Sequence, residues 1–585
     1  MIFSADFETT TDMEDCRVWA WGICDVENPE ETFTYGNTLD NFFDFLFSQK
    51  ENNTYYFHNL KFDGEFILNW LFKNGWEHIK DRNDLENNKF TTLISDKGMF
   101  YSIEICYGEN SKGKKLIRIY DSLKILPFSV EQMAKTFDLP IRKLEIDYTA
   151  YREYGHRLTQ KEILYLKNDV IIVACALNKM FEQNLTKMTI GSNALNSFKV
   201  LFGKKSFEKT FPEVIYDSDI RQAYRGGFTY LNPKFAEQDL GEGIVLDVNS
   251  LYPSVMYERF LPYGEGKFFE GKYEEDKFYP LYIQMLSCYF ELKKDKIPTV
   301  QLKHTLSFVP TEYLTSSNGE CVTLCMTNVD LQLFLNHYDV YGLEYINGWK
   351  FHASNTCFRE YIDTWNTVKV EATKSHNKGL RTIAKLMLNN LYGKFALNPT
   401  VRSKIPYLGE DNIVHYELGE KETRKGIYIP VGVFVTSWAR YKTITSAQSV
   451  YDRFIYADTD SLHLVGTDLP KNLEISDTKL GAWKLESKFV RARFLRQKSY
   501  IEDTIQSEDE IAKFIEENTD LIHHVNLKTN SILKITSAGM PSSCYKFVTW
   551  DNFRSGNSFA GKLKINHVNG GIVFTEQPHT LKKAR

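Results

Sequence analysis

The segment Tyr456-Ala457-Asp458-Thr459-Asp460-Ser461 restricts the fold of this chain more than any other. It lies between the apolar pair Phe454-Ile455 and an apolar run from Leu462 to Val465, a pattern that predicts strands. Period-2 alternation predicts that Asp458 and Asp460 share one face of a sheet, where they repel each other unless a cation lies between them. Asp247 has a similar setting, near the end of the apolar run that begins at Gly243 and turns at Tyr252-Pro253. Acidic strand ends that hold two divalent ions, Mg²⁺ or Mn²⁺, are a common arrangement for in-line phosphoryl transfer.

A chain of 585 residues forms two or more domains, and 43% hydrophobic with 14% aromatic content predicts an ordered globular protein. The nine cysteines are scattered without a Cys-x-x-Cys pair. Cys321 and Cys325 lack the partners of a zinc site, so reduced thiols are expected. The start, Met1 to Asp6, lacks the basic and apolar regions of a signal peptide, and no apolar run approaches membrane-spanning length. The expectation is a monomer in the cytoplasm. The net charge of −5 decides little, because acids at metal sites offset cations along a channel. Lys488 to Tyr500 holds five cations, no acid and three aromatics. That mix suits phosphate contacts interleaved with stacking surfaces; a solvated basic helix is the plainer alternative.

Residues 1–188 read as α/β. Strands are predicted at Ile2 to Phe7, Val18 to Val26, Tyr55 to His58, Thr91 to Ser95, Phe100 to Cys106 and Leu116 to Tyr120. Helices are predicted at Asn41 to Phe47, Asp63 to Phe72 and Lys161 to Phe181. Residues 359–396 read as helical throughout, with Leu380, Ala384, Leu388 and Leu391 on one stripe. Residues 259–358, rich in Tyr, Phe, Lys and Pro, read as an inserted subdomain with turns at Asn318-Gly319 and Asn347-Gly348.

Two groups of residues carry chemistry. In the first, Asp6 and Glu8 flank Phe7 and so point to one face of a strand. Asp63 opens a helix, and Tyr165 and Asp169 are i and i+4 neighbours on another. Taken singly, each acid suits a solvated surface. Together they can hold two metals that activate a water and stabilise a leaving oxygen, with Tyr165 positioning the water. In the second group, Arg381, Lys385 and Asn389 recur at i+4 with Tyr392 beyond, opposite the leucines. Two cations on one helix can hold a triphosphate, Lys369 can add a third charge, and Tyr392 can close over a base pair. Gly393 permits a close approach or a helix break. The paired glycines of Tyr224-Arg225-Gly226-Gly227 suit a loop against a nucleic-acid backbone, or an ordinary tight turn.

Assembled, these residues resemble a family B DNA polymerase of the protein-primed type, encoded by small tailed phages with linear, protein-capped genomes. Asp6-x-Glu8, Asn59 with Asp63, and Tyr165 with Asp169 match three proofreading exonuclease motifs. Asp247 to Pro253, Lys385 to Gly393 and Tyr456 to Ser461 match polymerase motifs A, B and C, and Lys498-x-Tyr500 and Tyr224-x-Gly226-Gly227 match two more.

The resemblance implies an α/β and α+β multidomain fold. An RNase H-like 3′–5′ exonuclease domain (1–188) precedes a right-hand polymerase domain (189–585). Within the latter it implies a palm (189–258 and 427–530), fingers (359–396), a thumb (531–585) and insertions at 259–358 and 397–426. The insertions would contact the priming protein, encircle the template and support strand displacement. Asp247, Asp460 and the Val248 carbonyl would hold the polymerase metals, with Asp458 in support. Tyr252 would stack under the sugar and exclude a 2′-hydroxyl, while Lys369, Arg381, Lys385, Asn389 and Tyr392 serve the deoxynucleoside triphosphate. Asp6, Glu8, Asp63, Glu145 and Asp169 would hold the exonuclease metals, with Lys143 and Tyr165 assisting. Glu145 stands where relatives carry an aspartate. His58, Asn59, Phe62, Ser122, Leu123 and Tyr148 would hold the frayed strand. Tyr224, Gly226, Gly227, Ser250, Gly393, Lys498 and Tyr500 would contact template and primer DNA.

The implied activity is template-directed DNA synthesis primed by a terminal protein, with proofreading, in the cytoplasm of an infected bacterium. A DNA-primed family B polymerase is the nearest alternative; it would normally carry a further domain ahead of the exonuclease, and here Asp6 comes almost at once. An exonuclease with a DNA-gripping C-terminal part, a non-catalytic replication scaffold and a reverse transcriptase are the others. Tyr252 and the Lys385 stripe speak against the first of these. The scaffold predicts no metal-dependent turnover. The motif B helix and the order of the exonuclease motifs argue against the last.

Overall fold

The computed structural model describes residues 1–301 and 313–582. Residues 302–312 of the expected insertion and the last three of the expected thumb lie outside them.

The first sheet has eight strands, ordered Thr34–Gly36, Val18–Asp25, Ile2–Thr9, Asn53–Phe57, Gly113–Asp121, Phe100–Asn110, Lys89–Ile94 and Glu77–His78. Ile2–Thr9 runs parallel to Asn53–Phe57, which runs parallel to Gly113–Asp121. Alternation sorts the side chains: Tyr55 and Phe57 pack with Phe42 and Phe66 from the helices Leu39–Ser48 and Leu60–Lys73. Tyr56 faces the other way, towards Val170 and Leu177 of the helix Gln160–Glu182. Each strand and helix predicted in this region forms, with shifted ends.

The second sheet has nine strands, all antiparallel to their neighbours. At its centre Gly243–Val248 lies between Trp483–Arg496 and Ser461–Val465, and Phe454–Asp458 follows. The helix Ile429–Ser449 is buried around most of its circumference: Ile429 to Val435 are apolar, and buried polar groups further on find partners, as Arg440 does in Asp330. Within 259–358 a four-stranded sheet folds around its own core of Leu286, Phe290, Phe334 and Tyr338.

Four expectations need correction. The turn expected at Asn347-Gly348 does not form: both residues lie within the strand Tyr338–Ser354, and the glycine is there because a Cβ would fall 2.1 Å from the Ile283 carbonyl. Residues 359–396 form three helices, Arg359–Lys374, Lys378–Asn390 and Tyr392–Ala396. The first break follows from His376 at φ +56° and from the Asn377 side chain capping Leu380 N–H. The buried stripe runs through Ile383, Ala384, Met387 and Leu388, with Leu380 at its margin. Asp460 does not lie on a strand with Asp458: Thr459, at φ +57°, turns the chain, and Asp458 pairs with Ser461 across a tight hairpin. Lys488 to Tyr500 is strand rather than helix, and its aromatics Phe489, Phe494 and Tyr500 are buried in the sheet's core instead of forming a stacking surface. Three of its cations are taken up in ion pairs, Arg493 with Asp239 at 2.6 Å, Arg491 with Asp503, and Lys498 with Asp458 at 3.4 Å.

Two hairpins from the later chain settle on the helix Leu60–Lys73. From Lys404–Leu408/Val414–Leu418, the Tyr416 hydroxyl donates to Glu65 Oε2 at 2.8 Å. From Ser558–Val568/Gly571–Thr580, His567 Nδ1 lies 3.6 Å from the same oxygen. Phe574 stacks on Phe62 with centroids 5.6 Å apart. Gly570, at φ +105°, has no room for a side chain, since a Cβ would fall 2.0 Å from the Cys16 carbonyl.

Candidate active sites

In the first site, Asp6 and Glu8 project from one face of Ile2–Thr9, and Asp169 meets them from Gln160–Glu182. One oxygen from each lies within 4.8 Å of the others. Two local devices produce this. Asn59, at φ +73°, accepts the left-handed backbone that lets the helix carrying Asp63 begin at once after its strand. A Thr159–Glu162 capping box starts the helix on which Tyr165 and Asp169 share a face. The acids line a cavity of about 230 Å³ with Lys143, Tyr165 and Asn59.

Four carboxylates in so little space are electrostatically unhappy. Burial, then Asp169, raises the Asp6 carboxyl to about 7. Burial and Asp6 push Glu8 and Asp63 well above the carboxylate range, and burial raises Asp169. Among the described residues that line the cavity Lys143 is the one lysine or arginine, its Nζ 2.5 Å from Asp169 Oδ2 and 3.2 Å from the Tyr165 hydroxyl. The Tyr165 and Tyr148 hydroxyls are 2.7 Å apart. Asp63 Oδ1 and Asp169 Oδ1 are buried without hydrogen-bond partners. That residual negative charge and those orphan oxygens fit divalent cations.

Phe62 lines the cavity half-buried, Leu123 is half-buried, and Asn59 and Tyr148 are exposed. Ser122 is fully buried; its hydroxyl donates to the Phe57 carbonyl and meets His58 Nδ1 at 3.0 Å. His58 Nε2 contacts the Phe128 carbonyl, so both residues spend their polar atoms inside the protein rather than towards a strand. Glu145 is exposed and neither lines the cavity nor joins the cluster, so the expected ligand role does not hold in this arrangement.

In the second site, the Val248 N–H donates to the Asp460 carbonyl at 2.8 Å, and Asp247 pairs with Ser461. Burial, then Asp460, then Glu486 raises the Asp247 carboxyl to about 7. Burial is also the main cause that raises Asp460, with Asp458 and Glu486 adding to it. Asp458 is differently placed. It accepts from the Thr229 hydroxyl at 3.0 Å and lies 3.4 Å from Lys498 Nζ. Asp247 and Asp460 therefore form the unsatisfied pair, and Asp458 is already compensated. Lys385 acts on Asp247 from the helix Lys378–Asn390. Burial, then Arg381 and Lys385, lowers the Lys369 ammonium, which marks the three as a crowded group of like charge. Among the described residues none of the three has a carboxylate at ion-pair distance. Arg381, Lys385 and Asn389 are exposed on one helix face. Tyr252 stacks on Tyr392 at 4.0 Å, closing the end of this face. Ser250, at φ +54°, turns the strand of Asp247 into the helix of Tyr252.

Gly227 has a structural reason: a Cβ there would fall 2.6 Å from Thr459 Oγ1, inside the acidic hairpin. Around Gly226 and Gly393 a Cβ would meet nothing within 4 Å, leaving both faces open. Tyr224 is half-buried near Tyr252. Lys498 is exposed on a turn at φ +55°, and its N–H donates to the Tyr456 hydroxyl. Tyr500 is 8% exposed and stacks on Phe494, so its ring belongs to the core.

Two residues escaped the sequence reading. Glu486 sits at a bulge of Trp483–Arg496, where the register against Val245 and Leu246 jumps from Ser487 to Leu485. A lone acid in an otherwise basic strand was its only signal. Arg440 is buried, pairs with Asp330 at 2.6 Å and donates to the Arg225 and Gly226 carbonyls.

The sequence model described as DNA polymerase type B, organellar and viral, matches residues 46–158 and 151–478. The chain is 47% identical to the DNA polymerase of Bacillus phage B103 over 99% of both chains. It superposes on phi29 DNA polymerase complexed with primer-template DNA and incoming nucleotide substrates with a TM-score of 0.91 and 45% identity, covering 99% of this chain and 100% of that one. The complex of phi29 DNA polymerase with single-stranded DNA gives a TM-score of 0.90 with the same coverage. The multidomain α/β and α+β architecture expected from the motifs is the fold of that polymerase. No helix among the described residues is long and apolar enough to cross a membrane.

Proposed function

The chain belongs to the organellar and viral type B DNA polymerases, and from that premise we propose that it copies a linear viral genome by protein-primed, strand-displacing synthesis and proofreads its product by 3′–5′ exonuclease action. The observation that carries this reading is the presence of two separate acid clusters on two sheets, only one of them facing a cationic helix.

In the polymerase reaction Asp247 and Asp460 would hold two Mg²⁺ or Mn²⁺ ions. Bound there, the ions supply Lewis acidity to the attacking 3′-hydroxyl and the departing pyrophosphate. Lys369, Arg381 and Lys385 bind the triphosphate, whose charge relieves their mutual repulsion. The Tyr252 ring, held against Tyr392, would pack against the deoxyribose and exclude a 2′-hydroxyl. Lys498 neutralises Asp458 and reaches towards the primer end. In the exonuclease, Asp6, Glu8, Asp63 and Asp169 would hold the ions, Tyr165 orients the attacking water, and Lys143 balances the charge of Asp169. Asn59, Phe62, Leu123 and Tyr148 bind the frayed strand. The insertion at 397–426 and the C-terminal hairpin close over the N-terminal domain, an arrangement suited to enclosing a strand.

Incubating the protein with its candidate priming protein, one labelled dNTP and Mg²⁺ or Mn²⁺ tests the subclass. A covalent protein–nucleotide adduct supports protein priming. Extension of a DNA primer without any adduct assigns the chain to DNA-primed synthesis.

A further inference from the structure

Between the helices Val130–Thr136 and Gln160–Glu182 the chain forms no strand or helix, yet it must deliver Lys143 to the first acidic cavity and Tyr148 to the hydroxyl of Tyr165, which lines it. Such a segment lacks ladder hydrogen bonds, so its backbone has to be fixed by side chains. One buried cation does most of this. Arg152 is 6% exposed, and each of its three guanidinium nitrogens donates: Nε to Glu162 Oε1 at 2.7 Å, Nη1 to the Ala150 carbonyl at 3.1 Å and Nη2 to the Asp147 carbonyl at 3.0 Å. Its guanidinium carbon lies 4.0 Å from the ring centre of Trp19, on the strand next to the one carrying Asp6 and Glu8. The Arg152 carbonyl in turn accepts from Arg17.

Glu162 joins this group to the catalytic helix. It is the N3 residue of the capping box, accepting Thr159 N–H at 2.9 Å, and it also meets His156 Nε2 at 2.8 Å. The same helix presents Tyr165 one turn later, and the two carbonyls gripped by Arg152 flank Tyr148. The contact between these two parts is the 2.7 Å approach of the Tyr148 and Tyr165 hydroxyls. Tyr148 itself is 51% exposed, so packing contributes little to its placement.

We propose that Arg152 is a positioning residue of the exonuclease reaction, holding the 147–151 loop so that Tyr148 stands over Tyr165 at the mouth of the acidic cavity. The inference rests on the exonuclease reading of that cavity. Arg152 is not among the residues lining the cavity and hydrogen-bonds none of its four acids; it acts through Tyr148. A lysine cannot replace it, because one ammonium does not reproduce a planar fork shared among a carboxylate and two carbonyls.

The test is a double-mutant cycle on Mg²⁺-dependent degradation of a labelled single-stranded oligonucleotide, using the full chain. R152A and R152K should each lose on the order of tenfold to a hundredfold in kcat/KM, the scale of a misplaced binding group. Dinucleotide-primed or primer-template extension by the same preparations should stay at the wild-type rate, which also reports that the chain has folded. R152A combined with Y148A should be no slower than Y148A alone, and limited proteolysis should cut R152A within 147–151. If R152A fails to fold, R152K and E162Q carry the same cycle, since glutamine keeps an acceptor for the Thr159 cap. Multiplicative losses in the double variant, or wild-type degradation by R152A, overturn the role assigned to Arg152. A wild-type protein that extends primers but degrades nothing overturns the exonuclease reading and this inference with it.

Discussion

The N–H of Val248 donates to the carbonyl of Asp460 across 2.8 Å, joining by backbone alone the two segments that carry the unsatisfied acids. Because that bond needs no side chain, Asp460→Ala should keep the fold and lose the carboxylate. Nucleotide addition should fall by at least about 10²–10³-fold, the scale on which an electrostatic contributor is missed. Mg²⁺-dependent degradation of single-stranded DNA should continue. Primer extension at the wild-type rate would remove Asp460 from the reaction.

Replacing Asp6 and Glu8 together by alanine should reverse that pattern, abolishing degradation and sparing synthesis. It should also change stability, since each buried acid in that cavity repels the others. Without metal, the variant's N-terminal domain should melt above the wild type's; Mn²⁺ should raise the wild-type transition and leave the variant's unmoved. Calorimetry with and without chelator measures both. An equal Mn²⁺ shift in the two proteins places the metal elsewhere.

Gly227 faces Thr459 so closely that Gly227→Ala must displace the hairpin that bears Asp458 and Asp460. Overpacking of this kind costs about 1–3 kcal/mol. Primer extension should drop while single-strand degradation holds. Adding Thr459→Ala removes the nearest atoms and should recover part of the loss. Equal extension by Gly227→Ala and wild type would mean that the hairpin tolerates the shift.

His567 is raised above its ordinary value chiefly by pairing with Glu65. A histidine with a raised folded pKa contributes fully below its unfolded pKa, and that contribution disappears as pH climbs through the folded value. Docking of the C-terminal hairpin should therefore be tightest below the ordinary histidine value of 6.5 and loosen as pH climbs above it through the raised folded value. Hydrogen exchange over residues 567–574 would follow it. Glu65→Gln should flatten the pH response, and a response that survives this change would assign the titration to another group.

The first acidic cavity was readable because its spacings are local. Two residues on a strand and four on a helix bring Asp6 to Glu8 and Tyr165 to Asp169 whatever the rest of the chain does. The same period-2 rule failed at Asp458 and Asp460, where Thr459 in the left-handed region converts alternation into a turn. The basic run from Lys488 misled for a related reason: its aromatics alternate into a core, and Asp239, the partner of Arg493 on the neighbouring strand, lies 254 positions earlier in the sequence. Glu486 depends on a register jump that no composition reveals. Arg440 acts on a loop 215 positions away, so its partners emerge only when the sheet and the helix Ile429–Ser449 are assembled.

The seating of both late hairpins on the helix Leu60–Lys73 has a bearing on how the molecule is made. Tyr416 lies 351 positions beyond its partner Glu65, and Ile572 lies 556 beyond Cys16. A ribosome adding roughly 5–20 residues per second leaves that helix face uncovered for some tens of seconds after its own sheet can fold. Nascent chains should accordingly carry a sticky aromatic flank at Phe62 that disappears only once Phe574 has left the ribosome.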